Sequence, residues 1–235
     1  FGLIYGLSNY IAVKRRGKPL YWFLTWEDYK SPLIMITIIT VFTGNFYLTT
    51  LFDEFITGRT ASKRKEICQK KIHEINKLKK TINYKNKIVI SKRRYFLKKL
   101  IEEKKNKFNL IAEIKKSSPS KGEICKKFNL NQIAQDYENA GASCLSILTE
   151  KNYFQGDINY ISKVKKIIDI PILRKDFILD EWQIYESYFF GADCILLILA
   201  ILEDKEAKRF YEVSKELNLD VIVEVHDEFE LKRAI

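Results

Sequence analysis

Histidine is almost missing. His73 and His226 are the only two in 235 residues, they lie far apart, and neither has cysteine ligands nearby, so no zinc site is expected and each reads as a surface residue. Cysteine is nearly as sparse. Cys68, Cys125, Cys144 and Cys194 are widely separated, with no CxxC spacing, which fits a reduced cytosolic compartment. Aromatic residues are not interleaved through the basic run from Lys63 to Lys107 in a base-stacking pattern, so nucleic acid is not expected as a partner despite a net charge of +11.

Charge is absent from Ser31 to Phe52, SPLIMITIITVFTGNFYLTTLF. As a helix that stretch is long enough to cross a hydrocarbon core of about 30 Å. Lys14, Arg15, Arg16 and Lys18 precede it, with Trp22, Trp26 and Tyr29, the cationic and aromatic flanks of a membrane interface. Residues 31–52 are therefore a transmembrane candidate and offer a membrane contact within a hydrophobic segment 1–59. The alternative is a buried β-branched segment with a turn at Gly44-Asn45. A cleaved signal peptide is not expected, because the stretch is too long and lies too far in. Phe1 to Val13 is apolar and opens without methionine, so it reads as the tail of an earlier membrane helix and the chain as a fragment.

Charge divides unevenly. Lys and Arg number six against four acids in residues 1–59, eighteen against four in 60–109, and seventeen against twenty-two in 110–235. The basic excess thus belongs to a connecting region. There, Ile67, Ile72, Ile75 and Leu78, then Phe96, Leu97, Leu100 and Ile101, recur at helical spacings, with Asn83 to Asn86 between them, so 60–109 is expected to be a basic helical extension. From Leu110 short apolar runs alternate with helical patterns. Strands are predicted at 110–115, 144–148, 171–174, 193–198 and 220–225, and helices at 130–140, 157–168, 181–190 and 204–217, with another from Glu228. This is an α/β class with parallel strands and right-handed crossovers.

In such folds functional groups collect at the carboxyl ends of strands. Side-chain alternation along Leu110 to Lys115 places Ile111, Glu113 and Lys115 on one face, with the two charges about 7 Å apart. A structural ion pair is the plain reading of Glu113 and Lys115, but charges on an apolar strand need a partner or a role. The third strand ends at Lys175 and the fifth at Glu224, so ionisable groups from three strands converge on one mouth. Arg174 and Asp176 alternate with Lys175 and are expected to point away and pair with helices. Ser118, in the turn after the first strand, can grip an anion through its hydroxyl and nearby amides, or simply close a Ser-Pro turn.

The run LIAEIKKSSPSKGEI from Leu110 to Ile124 resembles the signature of the indole-3-glycerol-phosphate synthase family. Further resemblance runs through Ser146 to Gly156, Pro171 to Phe177, Gly191-Ala192-Asp193 and Val223-Glu224-Val225, and Ser62 to Leu100 is similar to the family's helical extension. The resemblance implies a (β/α)8 TIM barrel. It also implies the decarboxylating ring closure of 1-(2-carboxyphenylamino)-1-deoxyribulose 5-phosphate to indole-3-glycerol phosphate, with a small phosphorylated substrate and no metal or organic cofactor. By motif position, Lys175 is implied as the acid on the substrate carbonyl, and Lys115 as the contact to the substrate carboxylate that later assists dehydration. Glu113 and Glu224 are implied as acid/base carboxylates and Ser118 as a phosphate ligand. Phe154, Phe177 and Leu196 are candidates for the apolar slot of the aromatic ring, Leu196 doubling as ordinary core.

With five predicted strands, residues 110–235 are expected to form a partial barrel of about five of eight βα units. The family's sixth-strand Asn, seventh-strand Glu-Ser-Gly and later phosphate loops do not occur in the sequence. The polypeptide alone is accordingly expected to be inactive and poorly soluble, its barrel portion cytoplasmic and its N-terminus membrane-associated. The alternatives are a membrane-anchored non-catalytic fusion fragment and a sibling phosphate-binding barrel such as phosphoribosylanthranilate isomerase.

Overall fold

A computed structural model describes residues 61–87, 93–101, 109–119 and 121–235, and Ala61–Ile235 pack as one unit. The segment 1–59 with its membrane candidate 31–52 lies outside the described residues. Among the described residues no helix is long and apolar enough to cross a membrane.

Residues 61–79 are helical (α1), followed by α2 (Phe96–Ile101) and strand β1 (Ile111–Ile114). A small hairpin of β2 (Ser117–Ser118) and β3 (Gly122–Glu123) leads to α3 (Leu130–Asn139), β4 (Cys144–Leu148), the single turn α4 (Lys151–Phe154) and α5 (Asn159–Lys165). Then follow β5 (Ile172–Lys175), α6 (Glu181–Phe190), β6 (Cys194–Ile198), a 3-10 turn at Leu199–Ile201, α7 (Asp204–Glu216), β7 (Asp220–Glu224) and α8 (Glu228–Ala234). The main sheet runs β1-β4-β5-β6-β7 with every neighbouring pair parallel. Sequential order with a helix between strands is the repeat that the alternating pattern predicts.

Local chemistry sets the helix starts. Asn129, Asp180 and Asp227 accept backbone N–H bonds at the N-caps of α3, α6 and α8, and Glu203 and Glu206 form a capping box on α7. The loop after β4 needs a glycine for a different reason. Gly156 donates to the Glu150 carbonyl at 2.8 Å and lies so close to the Leu148 carbonyl that a Cβ would collide with it.

The two sheet faces carry different cores. Ala112, Ile114, Leu145, Ile147 and Ile172 pack under α3 and α5, while Ile195 and Leu197 pack under α6 and α7. On the opposite face Cys144, Leu173, Cys194, Leu196 and Ile198 surround Phe96 of α2, with Ile111, Phe177 and Ile222 partly buried beside them. Phe96 is fully buried and held at the amino ends of the strands. Arg94 N donates to Asp193 at 2.8 Å, Leu97 N donates to Asp220 at 3.0 Å, and Arg93 bonds the Ala192 carbonyl. Phe96→Ala should therefore destabilise by about 3–5 kcal/mol, whereas Leu97→Ala on the exposed side should change little; equilibrium denaturation of both variants checks this.

The extension differs from its sequence pattern at Leu97 and Ile101, which are exposed, and within α1. The buried stripe of α1 is Ile67, Lys71, Ile75 and partly Leu78, spaced by four, four and three, while Ile72 is exposed. A lysine takes the place expected for an apolar residue because acids wait for it: its Nζ lies 3.1 Å from Asp176 and 4.0 Å from Glu150. Beyond α1 the chain is fastened by Trp182, whose Nε1 donates to the Ile82 carbonyl at 2.8 Å, and by Tyr84 packed against Trp182, Phe189 and Phe190.

Candidate active site

Lys175 ends the middle strand of the sheet, two strands away from each edge, yet its Nζ is 3.8 Å from Glu113 Oε2 on β1 and 3.8 Å from Glu224 Oε2 on β7. In a flat sheet each edge would lie about 9–10 Å from the central strand. The three side chains meet because they share one face and the sheet curls toward it. Lys115, just past β1, sits 2.5 Å from Glu113 Oε1, so the Glu113 carboxylate serves a different lysine with each oxygen. All four groups remain about one-third exposed, which screens their mutual attraction and leaves them open to a ligand.

The structure thus brings together Glu113, Lys115, Lys175 and Glu224. The Phe154 and Phe177 rings lie 6.5 Å apart, and Phe177 also packs on the core that contains Leu196. Leu196 is buried as a member of that core. Ser118 is engaged within its own hairpin, accepting from Lys121 N at 3.3 Å, while Ser117 donates to the Gly122 carbonyl at 2.9 Å. Among the described residues no group of three or more His, Cys, Asp or Glu is arranged to hold a metal ion.

His226 is more than the surface residue its isolation suggested. Its Nε2 is 3.2 Å from Glu224 Oε1 and its Nδ1 is 3.0 Å from Glu230 Oε2. The available signal was the two-residue spacing from Glu224, which puts residue 226 on the same side only if the chain runs on extended past the strand end.

Behind the site lies a second ionic network. Arg174 and Asp176 do turn away from Lys175, as alternation requires. Arg174 reaches Glu186 on α6 at 2.8 Å and Asp176 at 3.1 Å, and donates to Thr149, the Gln183 carbonyl and Ser187. Asp176 accepts from Thr149 at 2.6 Å and Phe177 N at 2.9 Å, besides its contact with Lys71. Burial works against the Asp176 carboxylate, but Lys71, Arg174 and the Thr149 hydroxyl outweigh it and hold its pKa below the ordinary value. Glu186 goes the other way: burial outweighs its pairing with Arg174 and raises it. Glu150 caps α4 by accepting from the amides of Asn152, Tyr153 and Phe154, so Lys71 bridges the two segments that carry Phe154 and Phe177.

The family model described as Indole-3-glycerol phosphate synthase matches residues 64–235. A protein named indole-3-glycerol phosphate synthase from Caldanaerobacter subterraneus subsp. tengcongensis is 54% identical over 131 residues, covering 56% of this chain and 51% of the relative. A protein of the same name from Aliarcobacter butzleri is 46% identical over 162 residues, covering 69% and 59%. A third, from Neisseria meningitidis serogroup C, is 50% identical over 132 residues, covering 55% and 51%. The chain spans about half the length of the curated relatives it matches. Neither the sibling-isomerase alternative nor the non-catalytic anchor is supported by these matches.

Proposed function

Because the chain belongs to the indole-3-glycerol phosphate synthase family, we propose that its Lys-Glu cluster serves the decarboxylating ring closure of 1-(2-carboxyphenylamino)-1-deoxyribulose 5-phosphate. The product is indole-3-glycerol phosphate, with loss of carbon dioxide and water. The observation that carries the reading is the placement of the Lys175 ammonium between Glu113 and Glu224, with Lys115 on the far side of Glu113.

The reaction needs an acid at the substrate carbonyl, so that the ring carbon bearing the carboxylate can form its new bond while the carbonyl oxygen becomes a hydroxyl. Lys175 is that acid, and the flanking carboxylates keep its ammonium aimed and can return its proton. Loss of the carboxylate as carbon dioxide restores the aromatic ring, and Lys115 pairs with that carboxylate until it leaves. The hydroxyl then departs as water, taking a proton from an acid while a carboxylate removes a proton from the adjacent ring carbon beside the nitrogen, and the double bond that completes the indole forms between the two carbons. Lys115 assists this dehydration, and Glu113 and Glu224 serve as the acid/base carboxylates. Phe154 and Phe177 flank the aromatic ring with Leu196 beneath, and Ser118 with its turn amides takes the phosphate.

We further propose that the five parallel strands are an arc of a (β/α)8 barrel, preceded by a helical extension over 60–109. In that reading β1 and β7 each offer an edge to further strands, and the barrel works on its phosphorylated substrate in the cytoplasm. The test is a substrate panel on the full-length protein carrying this sequence. Indole-3-glycerol phosphate and carbon dioxide should form in equal amounts from the carboxyphenylamino substrate, while phosphoribosylanthranilate should stay unconverted. The reverse preference would overturn the assignment.

A further inference from the structure

We propose that His226 is a positioning residue for Glu224, fixing which oxygen of that carboxylate faces Lys175. Its catalytic consequence rests on the ring-closure reading above; its geometry does not.

β7 ends at Glu224, and two residues on the His226 ring comes back against that carboxylate. The Glu224 carboxylate is divided between two neighbours. Oε1 lies 3.2 Å from His226 Nε2 and Oε2 lies 3.8 Å from Lys175 Nζ. A glutamate that is one-third exposed, with three rotatable bonds, has no reason of its own to hold that orientation. The lysine contact is too long to be a hydrogen bond, and the imidazole at 3.2 Å is the nearer of the two neighbours and so the one placed to define that orientation.

The imidazole is itself anchored. Glu230 Oε2 lies 3.0 Å from Nδ1 and also accepts from His226 N at 2.8 Å. Glu230 sits in the first turn of α8 and is buried, with its amide bonded to the N-cap Asp227 at 2.7 Å. Because the ring is planar and its two nitrogens sit on different edges, fixing Nδ1 and the backbone aims Nε2. The order is therefore α8 N-terminus, Glu230, His226, Glu224, Lys175. His226 touches neither Lys175 nor a reacting atom, so it acts only through Glu224. A ring that merely helped cap α8 would affect stability and leave turnover alone.

Two measurements on the full-length protein test this. The first needs no activity: long-range 15N spectra of the imidazoles, with His73 and His226 assigned by the signals lost in His73→Gln and His226→Gln. Glu224→Gln should move the Nε2 signal of His226, Glu230→Gln should move Nδ1, and His73 should respond to neither. An Nε2 signal indifferent to Glu224→Gln overturns the proposal whatever the enzyme does. The second is kinetic. His226→Ala should lower kcat by about tenfold through misplacement of the carboxylate, with KM and melting temperature little changed. His226→Gln, which keeps a donor near the Nε2 position, should restore most of that loss. In a Glu224→Gln background His226→Ala should cost nothing further; a fully additive loss, or a loss in melting temperature alone, overturns the proposal. Absence of wild-type turnover would instead sink the ring-closure reading, with the 15N result still deciding the contact.

Discussion

Lys175→Ala in the full-length protein is expected to lower kcat for ring closure by about 10³-fold, within the range general acid catalysis supplies, with a much smaller change in KM. The reason lies in what the ammonium does at its position. It is the only cation within reach of both Glu113 and Glu224 among the described contacts, so removing it takes away the proton donor and leaves two carboxylates facing one another. Lys175→Arg separates the two effects. Guanidinium keeps the charge and can still pair with both carboxylates, but it does not release a proton near neutral pH. If Lys175 acts as an acid, the arginine variant should be nearly as impaired as the alanine variant. If charge alone mattered, arginine should recover most of the rate. Steady-state assays that follow indole-3-glycerol phosphate formation, with single-turnover measurements to exclude a slow product-release step, decide between them. An alanine variant with wild-type kcat would assign the acid role elsewhere.

The convergence on Lys175 could be read from sequence because β-strand geometry is nearly periodic. Once the strands ending at Ile114, Lys175 and Glu224 were placed, alternation put Glu113, Lys115, Lys175 and Glu224 on one face and sent Arg174 and Asp176 to the other. Each of the five strands also fell within a residue or two of its expected span. What alternation cannot reveal is a partner distant in the chain. Lys71 is one of eighteen basic residues in 60–109, and nothing local marks it as the buried one. Its selection over Ile72 depends on Asp176 and Glu150, which lie far along the chain from it. The hairpin Ser117–Ser118 with Gly122–Glu123 and the single turn α4 are too short to generate a period, and α4 depends on its Glu150 cap. Residues 1–60 lie outside the described structure, so the membrane expectation for 31–52 stands as a reading of sequence alone.

Asp176→Asn should have the largest effect on stability, because it removes the charge that lets Lys71 and Arg174 be buried. Both cations are almost completely excluded from solvent, as is Asp176. Asparagine keeps the shape but has one acceptor oxygen, so it can keep the bond from Thr149 or the one from Phe177 N and not both, and Lys71 would then retain only Glu74 at 3.7 Å and Glu150 at 4.0 Å. Breaking a buried ion pair from one side typically costs about 3–5 kcal/mol. The loss should extend to the site, since Asp176 directly follows Lys175 and Lys71 joins α1 to the segments carrying Phe154 and Phe177. The pH dependence gives the sharper test. Asp176 has a lower pKa folded than unfolded, so its contribution is complete above the unfolded value, about 3.9, and is lost as pH falls through the folded one. The melting gap between wild type and Asp176→Asn should therefore be widest near neutral pH and narrow steadily in acid. Glu186 has the opposite sign. Its folded pKa is raised, so its contribution is complete below the unfolded glutamate value and is lost as pH rises through the folded one. Glu186→Gln should accordingly cost less at neutral pH than Asp176→Asn, because Arg174 keeps its pairing with Asp176 and its bonds to Gln183 and Ser187. Thermal unfolding of the two single variants and the double variant between pH 3 and 8 would measure this, with the range chosen to span about the carboxylate pKa values. A gap for Asp176→Asn that stays constant with pH would mean that the carboxylate charge is not what holds Lys71 and Arg174 inside.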